Sequence, residues 1–278
     1  MATTRDPSLA GRVVLVTGGA RGLGREMALE LLALGARVVA TGSAASPALD
    51  DLAQAAEALG AGDRCWATVA DVTRFDDCER LAEATARRFG PVEVLVNNAG
   101  RGMRLVSETF NTEPTRFWET APEAWRAIVE TNLDGAFYMA RATVPGMVER
   151  GFGKVLNIST SDPTMVRRGY APYGPSKAAL EAASRVWAQD LAGTGVDVNV
   201  YLPGGAADTD LLPPGLDRKG ADGNLLPAAV MRRGIGWLCS DASNGVTGRR
   251  FIARLWQEGA DSPGAAGAPS MLYPAPAQ

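Results

Sequence analysis

The chain has 278 residues, 46% of them hydrophobic, with a formal net charge of -3 and no histidine, which is enough apolar material for one large core. There is no basic stripe for nucleic acid, and no apolar run approaches the roughly 20 residues that cross a bilayer, so neither nucleic acid nor membrane is an expected partner. Without histidine, Ser-His-Asp and Cys-His nucleophiles and His-ligated zinc are excluded, and no metal site is expected. Residues 1–7 lack the apolar core of an export signal, and Cys65, Cys78 and Cys239 share no C-x-x-C spacing. Both features predict a cytoplasmic setting with free, buried thiols.

The run Val13-Val14-Leu15-Val16 reads as a buried parallel strand. It leads through Thr17-Gly18-Gly19-Ala20-Arg21-Gly22-Leu23-Gly24 into a helix over 25–34, where Met27, Leu31 and Leu34 form one apolar face. A glycine-rich turn between strand and helix lets backbone N–H groups and the helix dipole meet a pyrophosphate, with Gly18, Gly22 and Gly24 as contact points around Leu23. The Gly-x-x-x-Gly-x-Gly spacing differs from the commoner dinucleotide fingerprint and, alone, fits a plain tight turn as well. Further strands are predicted at 37–41, 64–70, 92–97, 154–160, 196–202 and 249–253. Seven strands separated mostly by helices predict an α/β Rossmann-type fold, a doubly wound parallel sheet with helices on both faces and ligands beyond the carboxyl ends of the strands. No linker divides it. Residues 1–10 are read as an N-terminal extension, 11–256 as a single domain, and 257–278, rich in Pro, Ala, Gly and Ser, as a flexible tail.

Tyr173-Gly174-Pro175-Ser176-Lys177 opens another predicted helix, continued by the stripe Leu180, Ala183, Trp187 and Leu191. Four residues apart, Tyr173 and Lys177 share a face, and Pro175 is tolerated in the first turn. A nearby ammonium stabilises a phenolate and brings tyrosine, whose free pKa is about 10, toward useful acid-base chemistry. On its own the pair equally fits a packing aromatic beside a solvated lysine.

Taken in order, the segments 17–24, Asp71-Val72, Asn97-Asn98-Ala99-Gly100, Asn132 within Thr131-Asn132-Leu133-Asp134-Gly135, 173–177 and Pro203-Gly204 resemble the short-chain dehydrogenase/reductase family, from about residue 11 to 252. The resemblance implies an NAD(P)-dependent oxidoreductase acting on a small-molecule ketone or alcohol, expected to be medium-sized and partly hydrophobic. It places Asp71 and Val72 at the adenine, Asn97, Ala99, Gly100, Pro203 and Gly204 along the cofactor, and Asn98 in a sheet-holding role. Tyr173 is the proton donor, Lys177 grips the nicotinamide ribose while tuning Tyr173, and Asn132 bends its helix and holds a water that relays protons. The hydroxyl that orients the carbonyl falls on Thr160 in a gapless alignment and on Ser161 after a one-residue shift, and both stay open. Gly42, with Ser43 next, stands where an NAD-selecting aspartate would be, and Arg21 is either a 2'-phosphate partner or a solvated surface charge, so NADP(H) is expected over NAD(H). The family also implies a homodimer or homotetramer built on the helices over 123–147 and 176–191. The alternatives are a redox-neutral epimerase or dehydratase, or a cofactor-sensing protein without turnover.

Three regions depart from the family pattern. Residues 101–131 run about ten longer than expected and carry Phe110, Phe117, Trp118 and Trp125, as either a binding loop or surface and oligomer contacts. Residues 205–224 read as a mobile flap with Leu211, Leu212 and Leu216 beneath it. Arg254-Leu255-Trp256 replaces a frequent Asp-Gly-Gly, and the tail after it is expected to hang loose or to reach a neighbouring subunit.

Overall fold

Seven short runs of β-branched and apolar residues pair into one sheet, every pairing parallel. The computed structural model describes residues 9–215, 218–220, 223–257 and 262–267. The strands are β1 (Val13–Val16), β2 (Arg37–Gly42), β3 (Cys65–Val69), β4 (Val94–Asn97), β5 (Gly153–Ile158), β6 (Val196–Leu202) and β7 (Arg250–Ile252). They lie in the order β3-β2-β1-β4-β5-β6-β7, and each coincides with a strand read from the sequence. The helices are α1 (Gly22–Ala33), α2 (Pro47–Ala58), α3 (Phe75–Phe89), α4 (Pro122–Val129), α5 (Gly135–Arg150), α6 (Asp162–Met165), α7 (Tyr173–Asp190) and α8 (Ile235–Cys239).

Strand side chains alternate between faces, and both faces are covered. Val14, Val16, Val38 and Ala40 join Met27 and Leu31 of α1 in one core, while Leu15, Val39 and Leu95 join Met139 of α5 and Ala188 of α7 in the other. Cys65, Cys78 and Cys239 are free and buried. Burial pushes their thiols up, to about 11 for Cys65 and about 12 for the other two, so they stay protonated and unreactive. Sheet growth reverses at β1, which pairs with β2 on one side and β4 on the other. The loops leaving β1 and β4 therefore diverge and open a crevice at the carboxyl edge.

The helix expected over 123–147 runs on from α4 into α5 through a π turn at Glu130–Asp134, and Asn132 sits buried in that turn. One expectation needs correction. The tail is not loose where it is described: Gly264–Ala266 form a short turn, Ala266 is fully buried, and Gly267 bridges antiparallel to Phe251. Contact with the cluster of Trp237, Phe251 and Trp256 outweighs the flexible composition. Residues 258–261 and 268–278 lie outside the described residues. No described helix is long and apolar enough to cross a membrane.

Candidate active site

Side-chain hydrogen bonds shape the turn after β1. Thr17 Oγ1 accepts from the backbone N–H of Asn98 and of Ala99, both at 3.0 Å, and the Asn98 amide donates to the Thr17 and Gly18 carbonyls at 2.9 Å. The turn is thereby fastened to the end of β4 so closely that only glycine fits. A Cβ on Gly18 would lie 2.9 Å from Ala99 Cα, and one on Gly24 would lie 2.3 Å from the Gly18 carbonyl oxygen. Gly18 also holds a φ of +60, which L side chains avoid. Because α1 begins at Gly22, its free N–H groups and positive dipole end face the crevice.

The crevice is a continuous cleft of about 1050 Å³, room for a dinucleotide with a small second molecule. Its walls bring together Gly18, Arg21, Gly22, Leu23, Gly24, Gly42, Ser43, Asp71, Val72, Ala99, Gly100, Thr160, Ser161, Tyr173, Lys177, Pro203 and Gly204. The glycine cradle, the helix start and the cleft volume together fit a nicotinamide dinucleotide. Asp71 lines the wall and also closes a local turn, its Oδ1 accepting from Thr73 N at 3.0 Å and from Thr73 Oγ1 at 2.8 Å. Past β2 the wall continues through Gly42, Ser43, Ala44 and Ser46 with no carboxylate. Arg21 is an exposed guanidinium that pairs with Asp210 at 3.3 Å.

Asn97 is a correction: it does not line the cleft. Strand alternation turns its side chain into the core, where it donates to Asn157 Oδ1 at 2.9 Å and to the Ala136 carbonyl at 3.3 Å, while the next residue, Asn98, faces the cleft. Asn132 is also absent from the walls, and its amide is already engaged. Its Nδ2 donates to the Arg101 carbonyl at 3.0 Å and to Ser176 Oγ at 2.9 Å, and its Oδ1 accepts from Arg101 N at 2.7 Å. Both N–H groups are used, so the amide clamps the segment after Gly100 onto the first turn of α7. The side chain nonetheless stays close to the chemistry, because a Cβ on Gly100 would meet Asn132 Oδ1 at 3.3 Å and Lys177 Nζ at 3.8 Å.

Tyr173 opens α7 and Lys177 follows one turn later, with Pro175 in the first turn. The Tyr173 hydroxyl lies close enough to the side chain of Thr160 for the threonine hydroxyl to favour its ionised form. Ser161 Oγ turns instead to Thr164 Oγ1, at 2.9 Å, where α6 begins. Of the two open alternatives, Thr160 therefore holds the hydroxyl beside the phenol. The expected depression of the tyrosine by the ammonium is not found in the cofactor-free protein. Lys177 Nζ donates to the Ile158 carbonyl at 2.8 Å, and burial pushes Lys177 down to about 8 and Tyr173 up to about 12.

Sequence reasoning missed a buried charge network behind these residues. Arg250 Nε pairs with Glu181 Oε1 at 3.1 Å, while its Nη2 reaches Asp162 Oδ1 at 2.8 Å and the Thr160 carbonyl at 3.1 Å. Arg250 and Glu181 side chains are 3% and 0% exposed, and Glu181 lies one turn beyond Lys177 on α7 and favours its charged form. An arginine inside a buried strand was the available signal, since such a charge needs a partner. The network fixes the loop that presents Thr160.

The two family departures meet above the site. From the 101–131 segment only Phe110, of the aromatics read there, turns inward, joining Met103 and Tyr170 with Tyr173 and Leu212 packed against them. Phe117 and Trp118 stay 66% and 67% exposed. The flap crosses the cleft mouth: Arg104 Nη1 donates to the Asp210 carbonyl at 2.8 Å, and Thr209 lies against Gly22. Leu211 and Leu212 line the cleft, whereas Leu216 lies outside the described residues.

The short chain dehydrogenase family model matches residues 12–217. A short-chain type dehydrogenase/reductase of Picea abies is 36% identical over 207 residues, covering 73% of each chain. A 3-oxoacyl-acyl-carrier-protein reductase of Haemophilus influenzae is 30% identical over 248 residues, 86% of this chain and 95% of its own. NADPH-dependent aldehyde reductase 2, chloroplastic, of Arabidopsis thaliana is 31% identical over 268 residues, 88% and 93% of the two chains. The fold also matches the crystal structure of a short-chain alcohol dehydrogenase from Sinorhizobium meliloti, with a TM-score of 0.75 and 27% identity over 90% of this chain and 97% of that one. Sheet order, glycine cradle, Tyr173-Lys177 pair and these likenesses agree, and the chain belongs to the short-chain dehydrogenase/reductase family, NAD(P)-dependent oxidoreductases acting on CH–OH and C=O groups.

Proposed function

We propose that the protein is an NADP(H)-preferring carbonyl reductase and secondary-alcohol dehydrogenase. The observation that carries this reading is the convergence of the neighbouring Tyr173 and Thr160 side chains on one cleft with the buried Lys177. Two adjacent hydroxyls match the two lone pairs of one carbonyl oxygen. Thr160 orients that oxygen, and Tyr173, protonated throughout the neutral range, gives it the proton. The bound nicotinamide supplies the hydride in reduction and accepts it in oxidation. Gly18, Gly22, Leu23 and Gly24 hold the pyrophosphate, Asp71 and Val72 the adenine end, and Ala99, Gly100, Pro203 and Gly204 the remaining wall. Lys177 would grip the nicotinamide ribose with the N–H donors it does not give to the Ile158 carbonyl. Asn132 positions residue 101 and α7.

Preference for the 2'-phosphate is supported by the absence of a carboxylate at Gly42, Ser43, Ala44 and Ser46 and by Arg21, which exchanges Asp210 for the phosphate. The similarity to a reductase whose name specifies NADPH points the same way. We further infer a cytoplasmic homodimer or homotetramer, built on α4, α5 and α7, where Trp125, Phe137 and Val186 are exposed in the single chain. The test follows the loss of NADPH absorbance with small, aliphatic, cyclic and aryl ketones, alongside Tyr173→Phe. Ketone-dependent oxidation lost in the variant is expected. Absence of turnover despite tight NADPH binding would favour a redox-neutral or sensing role, and tighter binding of NADH than NADPH would reverse the cofactor choice.

A further inference from the structure

From Tyr173 the cleft wall continues past Tyr170 to Arg167. Arg167 is half-buried, its Nη1 donating to the Tyr170 hydroxyl at 3.1 Å and its guanidinium carbon lying 4.7 Å from the centre of the Tyr170 ring. That hydroxyl donates onward to Asn111 Oδ1 at 3.2 Å, and the ring meets Phe110 edge-on with centroids 5.6 Å apart. The guanidinium is thus aimed and held by a neutral hydroxyl and a ring face. Among the described residues no carboxylate balances it, and the acids of the cleft wall are engaged elsewhere: Asp71 with Thr73, Asp162 with Arg250, Asp210 with Arg21. A half-buried cation pays desolvation with no counter-charge, and its remaining N–H donors form a fork that matches a carboxylate. One guanidinium balances one charge, which fits a carboxylate better than a phosphomonoester carrying about two. The same cleft is lined by the apolar cluster of Met103, Phe110, Tyr170 and Leu212, against which Tyr173 packs.

Resting on the reductase reading above, we propose that the cleft takes an oxo acid and its hydroxy acid: a ketone or secondary alcohol on an apolar body at least as wide as one aromatic ring, with a carboxylate at the far end paired by Arg167. The carbonyl carbon gains hydride from NADPH, its oxygen gains the Tyr173 proton, which solvent restores, and NADP⁺ leaves. The experiment compares kcat/KM, with NADPH as reductant, for 4-acetylbenzoate, 5-oxohexanoate and 7-oxooctanoate, each against its methyl ester. For at least one pair the acid should be favoured about ten- to hundredfold, the scale of a charged hydrogen bond, mainly through KM and less so at high salt. Arg167→Gln should bring the acid-to-ester ratio near one, and Arg167→Lys should keep part of the preference. Equal use of acid and ester, or preference for the ester, by the unaltered enzyme overturns the carboxylate site and leaves the reductase standing. A folded Arg167→Gln variant that keeps the preference overturns the assignment to Arg167. No turnover on any pair or on the neutral ketones, with NADPH bound, removes the reductase reading and this one with it.

Discussion

Around the glycine turn the cleft is made of backbone fitted against backbone, whereas around Tyr173 it is made of side chains from separate segments of the chain. Gly18, Gly24, Thr17 and Asn98 lie within two stretches that follow β1 and β4, and their close approaches leave no room for variation. The reacting end joins Phe110, Thr160, Tyr170, Tyr173, Leu212 and Arg250. A rigid cradle for one shared cofactor and an adjustable wall for the second molecule is the division that lets one scaffold serve many substrates.

The largest expected effect strikes the reacting end through its hidden support. Arg250→Met removes the guanidinium that Glu181 and Asp162 share, and breaking a buried pair costs about 3–5 kcal/mol. A fall in the urea midpoint should accompany loss of kcat as the Thr160 loop loosens. The double change Arg250→Met with Glu181→Met should recover much of the stability and little of the kcat. Full activity in the single variant would mean that the loop holds itself.

Gly24→Ala strikes the cradle instead. Its methyl would need to displace the Gly18 carbonyl and the Asn98 amide, at a cost of about 1–3 kcal/mol. NADPH affinity, read by fluorescence titration, should fall by more than the stability loss explains. Unchanged affinity would show that the cradle is not where the cofactor is held.

A smaller effect follows from pH. Lys177 is pushed down to about 8 from 10.5, so between these values the unfolded chain binds more protons than the folded one, and stability rises with pH across that window. The cost of burying the ammonium is felt in full below 8. Tyr173, pushed up to about 12 from 10, has the opposite sign and lowers stability as pH climbs between those values. Above about pH 9 the three buried thiols add to the fall, so the Lys177 contribution is read as a difference: between pH 8 and 10 the urea midpoint of the unaltered protein should gain on that of Lys177→Met. Parallel pH curves for the two proteins would contradict the burial account. The mildest change is Phe110→Ala, which should raise KM for bulky ketones severalfold while leaving NADPH affinity alone, since Phe110 packs with Met103 and Tyr170 rather than the glycine turn.

The same contrast explains what could be read before the structure. Strands such as Val13–Val16 and Val196–Leu202 announce themselves because a strand buried on both faces is a continuous apolar run, and the cradle is legible because glycine is the only residue its geometry admits. Tyr173 and Lys177 were picked out by the family resemblance, their four-residue spacing only setting them on one helix face. Thr160 and Ser161 could not be separated, because a one-residue register shift in a loop leaves no periodic trace; the structure sets Thr160 beside Tyr173 and turns Ser161 to Thr164. Asn97 was misplaced because two adjacent asparagines at a strand end look alike until the alternation of side chains is seen. Glu181 and Arg250 stand 69 positions apart, and no local pattern ties a glutamate on a helix to an arginine on an edge strand. The docked turn at 262–267 was hidden by its composition, since an alanine buries well only when a surface is there to receive it.

The central claim is that the Tyr173 and Thr160 hydroxyls together handle the carbonyl oxygen. It is tested most directly by measuring kcat and NADPH affinity in the same samples of Thr160→Val and Ser161→Ala, on whichever ketone the unaltered enzyme reduces best. The account predicts a loss of about a hundredfold or more in kcat for Thr160→Val, near-normal kcat for Ser161→Ala, and NADPH affinity retained in both. Full turnover in Thr160→Val with turnover abolished in Ser161→Ala would contradict it.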